Sequence, residues 1–307
     1  MAFDLYFAGA RNKAADDFLL KEGAHRLQSQ LIDRNNIEIW RKEKKPESKL
    51  FVDSGAYTAY TKGINLSVNE YIDYLNSITN EVTIFAQLDT IPGRFNQPKT
   101  LQEIREAPKL SWENYLYMRE HLKEPNKLIP IFHQGEDFKW LENMLEWKDN
   151  EGKHIEYIGV SPATDVPGLE PWLIKCFSII ANSSNPNVKT HAFGMTQLSV
   201  LEQFPYTSAD STSWKLCAAM GNIYTPWGTI YISDRGTKDS TGLASQPEYL
   251  QEKVKKYVED LGFDFAEAQA KDTERYQINI KFLLEWAKNY TYKGGDFKNR
   301  PVQADLF

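Results

Sequence analysis

The sequence is poor in the residues from which several common devices are built. Its two cysteines, Cys176 and Cys217, cannot form a cysteine-rich metal site. Both stand in apolar surroundings, which points to buried thiols in a reducing compartment. The five histidines are scattered, with neither HxH nor HExxH spacing, so no helix-borne metal motif is present. No stretch approaches the roughly 20 apolar residues of a membrane span. The opening MAFDLYFAGARNKAADD has no basic segment followed by a long apolar one, so no signal peptide is expected. An excess of positive charge is also missing. The net charge of −6 gives no long-range pull on nucleic acid, and the basic runs RKEKKPESK (41–49) and KVKK (253–256) read as a solvated loop and a helix face. A polyanionic partner would therefore be held by a local patch. There is no internal repeat and no low-complexity linker. A soluble, cytoplasmic protein with no membrane partner is expected.

What the sequence does have is a recurring short apolar run that ends in an acid, an amide or a glycine. LFVDSGAYTAY (50–60) sets the type: Leu50, Phe51 and Val52 read as a buried strand, and Asp53-Ser54-Gly55 as the turn that ends it. TIFAQLD (83–89), LIPIFHQG (128–135), YIGVS (157–161), THAFG (190–194) and TSAD (207–210) repeat the design. FDLYFA (3–8) supplies a first strand and GTIYIS (228–233) an eighth. Helical spacing fills most of the intervals: 14–30, 68–78, 100–122 with a break at Pro108, 138–147, 170–181 and 197–204. Ile37–Trp40 is a brief apolar run, and 246–261 and 265–290 read as two long amphipathic helices. Strands alternating with helices predict an α/β fold, a (β/α)8 TIM barrel over residues 1–245, with a helical extension at 246–307 packed on it.

In such a barrel the catalytic groups come from the C-terminal ends of several strands. Asp53, Asp89 and Asp210 occupy three of these ends, joined by Gln134 and two strand-end glycines. Separated carboxylates in one pocket permit a division of labour, one attacking a sugar carbon while another handles protons. Each Asp taken alone has a second use, as the N-cap of the helix that follows it.

The same segments carry a family resemblance. FVDSGAYTAY resembles the DSGGFQ segment of the tRNA-guanine transglycosylases, barrel enzymes that exchange guanine for a 7-deazaguanine. Ala56 stands where that family has Gly, and Tyr57 where it has Phe. AQLDTIP is similar to the segment bearing the base-recognising Asp, IFHQG to a VQGG-type strand end, and IGVS to a GGLA-type segment. HAFGMTQLSVLEQFP is similar to the strand and helix around a GVG-type turn, and SADSTSW falls where the family places its nucleophile. The matches run in family order over residues 50–215.

The resemblance implies that Asp210 is the nucleophile that attacks C1′ and that Asp53 is the general acid/base. It implies that Asp89 and Gln134 hydrogen-bond the base, assisted by the backbone at Gly159 and Val160, with Phe193 and Gly194 lining the pocket. The family's C-terminal zinc site of three Cys and one His has no counterpart here, since Cys176 and Cys217 lie elsewhere. No zinc and no other cofactor is therefore expected, the 7-deazaguanine base being a co-substrate. A barrel without that module is most like the divergent phage and bacterial transglycosylases that place 7-deazaguanines in DNA, which would place a phage-encoded chain in the host cytoplasm. DNA is the expected partner, and tRNA the alternative. The target nucleotide must then be flipped out or single-stranded. Tyr57, Tyr60, Trp214 and Trp227 are candidates to stack at the mouth, and Arg94, Lys215 and Arg235 to meet phosphates. Two rival readings are a metal-dependent hydrolase, using His133 and His191 with the same acids, and a binding module without turnover.

Overall fold

A strand buried on both faces reads as an unbroken apolar run, and β3 (Leu50–Asp53) is one: Leu50, Phe51 and Val52 are all inaccessible to solvent. The computed structural model describes residues 3–9, 13–33, 36–163, 166–195, 197–234 and 242–298. Before β3 come β1 (Asp4–Phe7), α1 (Lys13–Glu22), β2 (His25–Ser29), α2 (Gln30–Asp33) and α3 (Ile37–Glu43). After it follow α4 (Ala56–Lys62), α5 (Val68–Ser77), β4 (Ile84–Ala86), α6 (Leu101–His121), β5 (Leu128–Ile129), β6 (Ile131–His133) and α7 (Lys139–Glu146). Next are β7 (Tyr157–Ser161), α8 (Leu169–Asn182), β8 (Lys189–Ala192), α9 (Leu198–Gln203), β9 (Ser208–Ser211) and α10 (Ser213–Ala219). The last elements are β10 (Asn222–Thr225), β11 (Gly228–Tyr231), α11 (Glu248–Asp260), α12 (Phe265–Ala270) and α13 (Asp272–Lys288).

The large sheet is parallel throughout, in the order β5-β4-β3-β2-β1-β9-β8-β7-β6. Its two ends, β5 and β6, are halves of one strand interrupted at Pro130. Proline has no N–H to give a ladder, so the strand changes partner there. Leu128 and Ile129 pair with β4, Gly159 N–H donates to the Pro130 carbonyl at 2.8 Å, and Ile131–His133 pair with β7. The sheet is thereby closed into the expected TIM barrel, helices outside.

Two strands differ from the sequence expectation. GTIYIS is extended, but β11 pairs antiparallel with β10 in a separate hairpin and takes no part in the barrel. Its place is taken by β2, HRLQS, inside the stretch expected to be helical. β2 escapes an apolar reading because its outward residues are polar and buried: Arg26 is 3% exposed and paired with Asp16 on α1. The break expected at Pro108 does not occur. α6 runs through it, since Thr100 and Glu103 form a reciprocal capping box and Ala107, Ser111, Tyr115 and Met118 are buried along one side. One missing hydrogen bond is outweighed by that packing.

Inside the barrel, Tyr6, Phe51, Ile84, Ala86, Ile129 and Ile131 form an apolar plug. Below it, at the N-terminal end of the strands, Asp4 pairs with His25 (3.3 Å) and Lys49 (2.6 Å). The main core between strands and helices reaches from Phe3 to Phe297 and includes Tyr276, Ile280, Leu283 and Ala287 of α13. α13 packs on α10, β10, α1 and β1. A smaller core joins Ile223, Ile232 and Leu243 to Val254, Val258, Ala268 and Ile278. The expected boundary at residue 245 falls within this smaller core, so residues from both sides of it pack together.

Candidate active site

Asp53, Asp89 and Asp210 are delivered to the C-terminal mouth, above the plug. β3 ends at Asp53, and the chain then turns through Gly55 at φ 77°. A side chain is excluded there twice, by that angle and by space: a Cβ would lie 2.6 Å from Ser29 Oγ and 2.8 Å from Leu31 Cβ. The turn directs the Gly55 N–H onto Asp53 Oδ2 at 3.0 Å. Burial pushes the Asp53 carboxyl up to about 7. The charges of Asp89 and Asp210 raise it further, against the Gly55 hydrogen bond, which lowers it. Asp53 is thus able to hold or release a proton near neutrality.

Asp89 follows β4 and accepts from Gln87 Nε2 at 2.5 Å. His133, at the end of β6, stands between Asp89 (Nε2 to Oδ2, 3.3 Å) and Glu136 (Nδ1 to Oε1, 3.2 Å). Burial alone would lower its pKa, but the two carboxylates outweigh burial and hold it well above the usual histidine value. The two acids that bracket His133 thus favour its protonated form.

Asp210 Oδ1 accepts the Gly194 N–H at 2.8 Å and lies 3.3 Å from His191 Nε2. Oδ2 has no hydrogen-bond partner among the described residues. Its strand neighbour at the same face, Ser208, lies 2.5 Å from His191 Nδ1 and 2.5 Å from Tyr157 Oη. The pattern of strand-end acids does not point to Ser208, Tyr157 or Glu136. The two-residue spacing of Ser208 and Asp210 on one strand was the available signal, because it puts both on one face.

The remaining candidates separate. Gln134 is committed to the β7–α8 connection: Nε2 donates to the Pro167 carbonyl at 3.1 Å and Oε1 accepts the Ala163 N–H at 3.2 Å. Both ends of the amide expected to meet a base are thus bonded to backbone of the protein itself. Gly159 N–H and the Val160 carbonyl serve the sheet, bonded to Pro130 and Phe193, and the Val160 side chain is buried toward the helices. Neither backbone is open to a ligand. Phe193 stands edge-on to Phe51 (5.6 Å) and His191 (4.6 Å) beside the acids, and Gly194 acts through its N–H on Asp210. Trp214 is a core residue, inaccessible to solvent, its indole N–H donated to the Ala8 carbonyl at 3.2 Å. Lys215 Nζ donates to the Gly9 carbonyl at 3.1 Å, two residues beyond β1. Tyr57 is 68% exposed on α4. Arg94 lines a cleft of about 850 Å³ that opens beside Asp89, with Tyr60 and Phe95 meeting edge to face (5.9 Å) on its wall. Trp227 is half-exposed on the hairpin, with Lys253 Nζ 3.8 Å from its ring centre. Arg235 lies outside the described residues.

Among the described residues no three His, Cys, Asp or Glu side chains converge as metal ligands. Both nitrogens of His133 and both of His191 have partners within the protein. Burial pushes the thiols of Cys176 and Cys217 up, Cys217 to about 11, so neither is a thiolate at neutral pH. No helix of the described residues is long and apolar enough to cross a membrane.

The fold and the mouth together define a TIM-barrel protein with three acids gathered at the catalytic end of its strands. No protein-family model and no curated protein matches the chain.

Proposed function

We propose that the chain is a transglycosylase that exchanges guanine in DNA for a 7-deazaguanine base. The observation that carries the proposal is the unequal treatment of two neighbouring carboxyls. Asp53 is tuned to about 7, whereas Asp210 is gripped at one oxygen by Gly194 and His191 and has the other oxygen without a protein partner. That asymmetry suits a proton carrier and a nucleophile.

In this reading Asp210 Oδ2 attacks C1′ of the target nucleotide and the bond to guanine N9 breaks, the departing base taking a proton from Asp53. The incoming 7-deazaguanine then gives its N9 proton to Asp53 and attacks C1′, which releases Asp210 as a carboxylate. Two displacements retain configuration. Asp89 is the acceptor for the N–H edge of the base. DNA is preferred to tRNA here because Cys176 and Cys217, the cysteines of residues 1–307, are not placed as in the tRNA enzymes' zinc module.

The test is release of labelled guanine from DNA and from tRNA in the presence of 7-cyano-7-deazaguanine. Wild-type protein should release it from DNA, and Asp210→Asn should bind DNA without releasing any. Release from tRNA alone would reassign the substrate, and exchange by Asp210→Asn would remove Asp210 from the nucleophile's role.

A further inference from the structure

Ser208 and Asp210 on β9, His191 on β8 and Tyr157 on β7 make a continuous hydrogen-bonded line across three adjacent strands. Tyr157 Oη to Ser208 Oγ is 2.5 Å, Ser208 Oγ to His191 Nδ1 is 2.5 Å, and His191 Nε2 to Asp210 Oδ1 is 3.3 Å. Hydroxyls can point either way, but the ends of this line fix its polarity. A carboxylate only accepts, and Oδ1 already takes the Gly194 N–H, so the hydrogen between His191 and Asp210 sits on Nε2. In a neutral ring Nδ1 then accepts, Ser208 donates to it, and Tyr157 donates to Ser208. Every hydrogen in the line has an acceptor. The opposite polarity strands the Tyr157 hydrogen, for which the described residues offer no other acceptor.

The surroundings keep the ring uncharged. His191 is inaccessible to solvent, with Phe51 and Phe193 each 4.6 Å from it and Tyr6 at 5.9 Å. Burial lowers its pKa against the opposing pull of Asp210.

We propose that His191 is the positioning residue of the site, a neutral imidazole locked as the Nε2–H tautomer by Ser208 and Tyr157, which saturates Asp210 Oδ1 and leaves Oδ2 as the attacking atom. The second half of this statement rests on the reading of Asp210 as a nucleophile, whereas the tautomer stands independently of it.

The test has two arms. Full-length protein carrying [15N]histidine is examined by long-range proton–nitrogen NMR at neutral pH, with the His191 signals assigned by their loss in His191→Gln. A protonated Nε2 and an unprotonated Nδ1 are expected. An Nδ1–H tautomer or a doubly protonated ring overturns the proposal. In the second arm, His191→Leu should lower kcat for guanine release roughly ten- to a hundredfold, the scale of one hydrogen bond to a charged group. KM should stay within about twofold. His191→Gln, which presents an N–H at nearly the same point, should recover most of the loss, and equal loss in both variants overturns the positioning role. If wild-type protein releases guanine from no nucleic acid, the proposed activity fails, and the NMR result still decides the state of His191.

Discussion

The ring of Phe193 occupies the space in which a side chain on Gly159 would begin. A Cβ there would lie 2.5 Å from Phe193 Cε2 and 3.1 Å from Ile131 Cγ1. The glycine thus makes room for a ring of the protein itself. Gly159→Ala should push Phe193 off His191 and lower stability by roughly 1–3 kcal/mol, the usual result of overpacking. Urea denaturation measures the loss, and stability equal to wild type would mean that the ring swings aside freely.

Asp53 makes stability depend on pH in a definite direction. Its carboxyl titrates near 7 in the folded chain against an ordinary value of 3.8. A raised pKa contributes stability that is fully present below about pH 4 and lost as the pH rises through about 7. Allowing for the solvent that reaches this partly exposed group, the loss is on the order of 2 kcal/mol. Asp53→Asn cannot ionise. Its stability relative to wild type should increase between pH 4.5 and pH 8, and an unchanging difference would show that Asp53 ionises as it does in water.

Trp214 and Trp227 were equal candidates for a stacking role in the sequence, and the structure makes them opposites. Trp214→Ala should cost roughly 3–5 kcal/mol, as truncation of a buried aromatic does. Trp227→Ala, at a half-exposed hairpin position, should stay within about 0.5 kcal/mol. Thermal melts of the two variants check the contrast.

Arg275 on α13 is 2% exposed, and its guanidinium donates to carbonyls at two helix C-termini: Ala218 of α10 (2.8 Å), and Ala268 (2.8 Å) and Gln269 (2.9 Å) of α12. Cations belong at that end of a helix dipole. Arg275→Met removes these donors from buried acceptors and should cost roughly 2–4 kcal/mol. Removing residues 246–307 takes away α13 altogether and should leave a chain that binds hydrophobic dyes and lacks a cooperative melt. A cooperative melt would show that the barrel stands without it.

The barrel was legible wherever a strand is apolar on both faces, as in β3 and β4, because no other element explains such runs. β2 was illegible for a physical reason. Arg26 is buried by an ion pair with a helix, and a residue string does not disclose which charges will meet. GTIYIS was rightly extended and wrongly placed, since pairing partners are chosen by the whole sheet and not by the strand. The three strand-end acids were readable from position alone. The use of Gln134 on a loop, and of Gly194 as a donor to Asp210, depends on where distant backbone arrives.

Phe3, beside the first strand, is packed against Trp286 (5.3 Å) and Tyr290 (4.4 Å) at the far end of the chain. β1 also sits between β2 and β9, so it has one sheet partner early and the other only after two hundred residues. During synthesis the first strands must wait, with apolar faces uncovered, until α13 leaves the ribosome. Closing so distant a contact is slow and leaves collapsed intermediates open to aggregation. Yield in a heterologous host should therefore respond to growth temperature and chaperone supply more than to promoter strength.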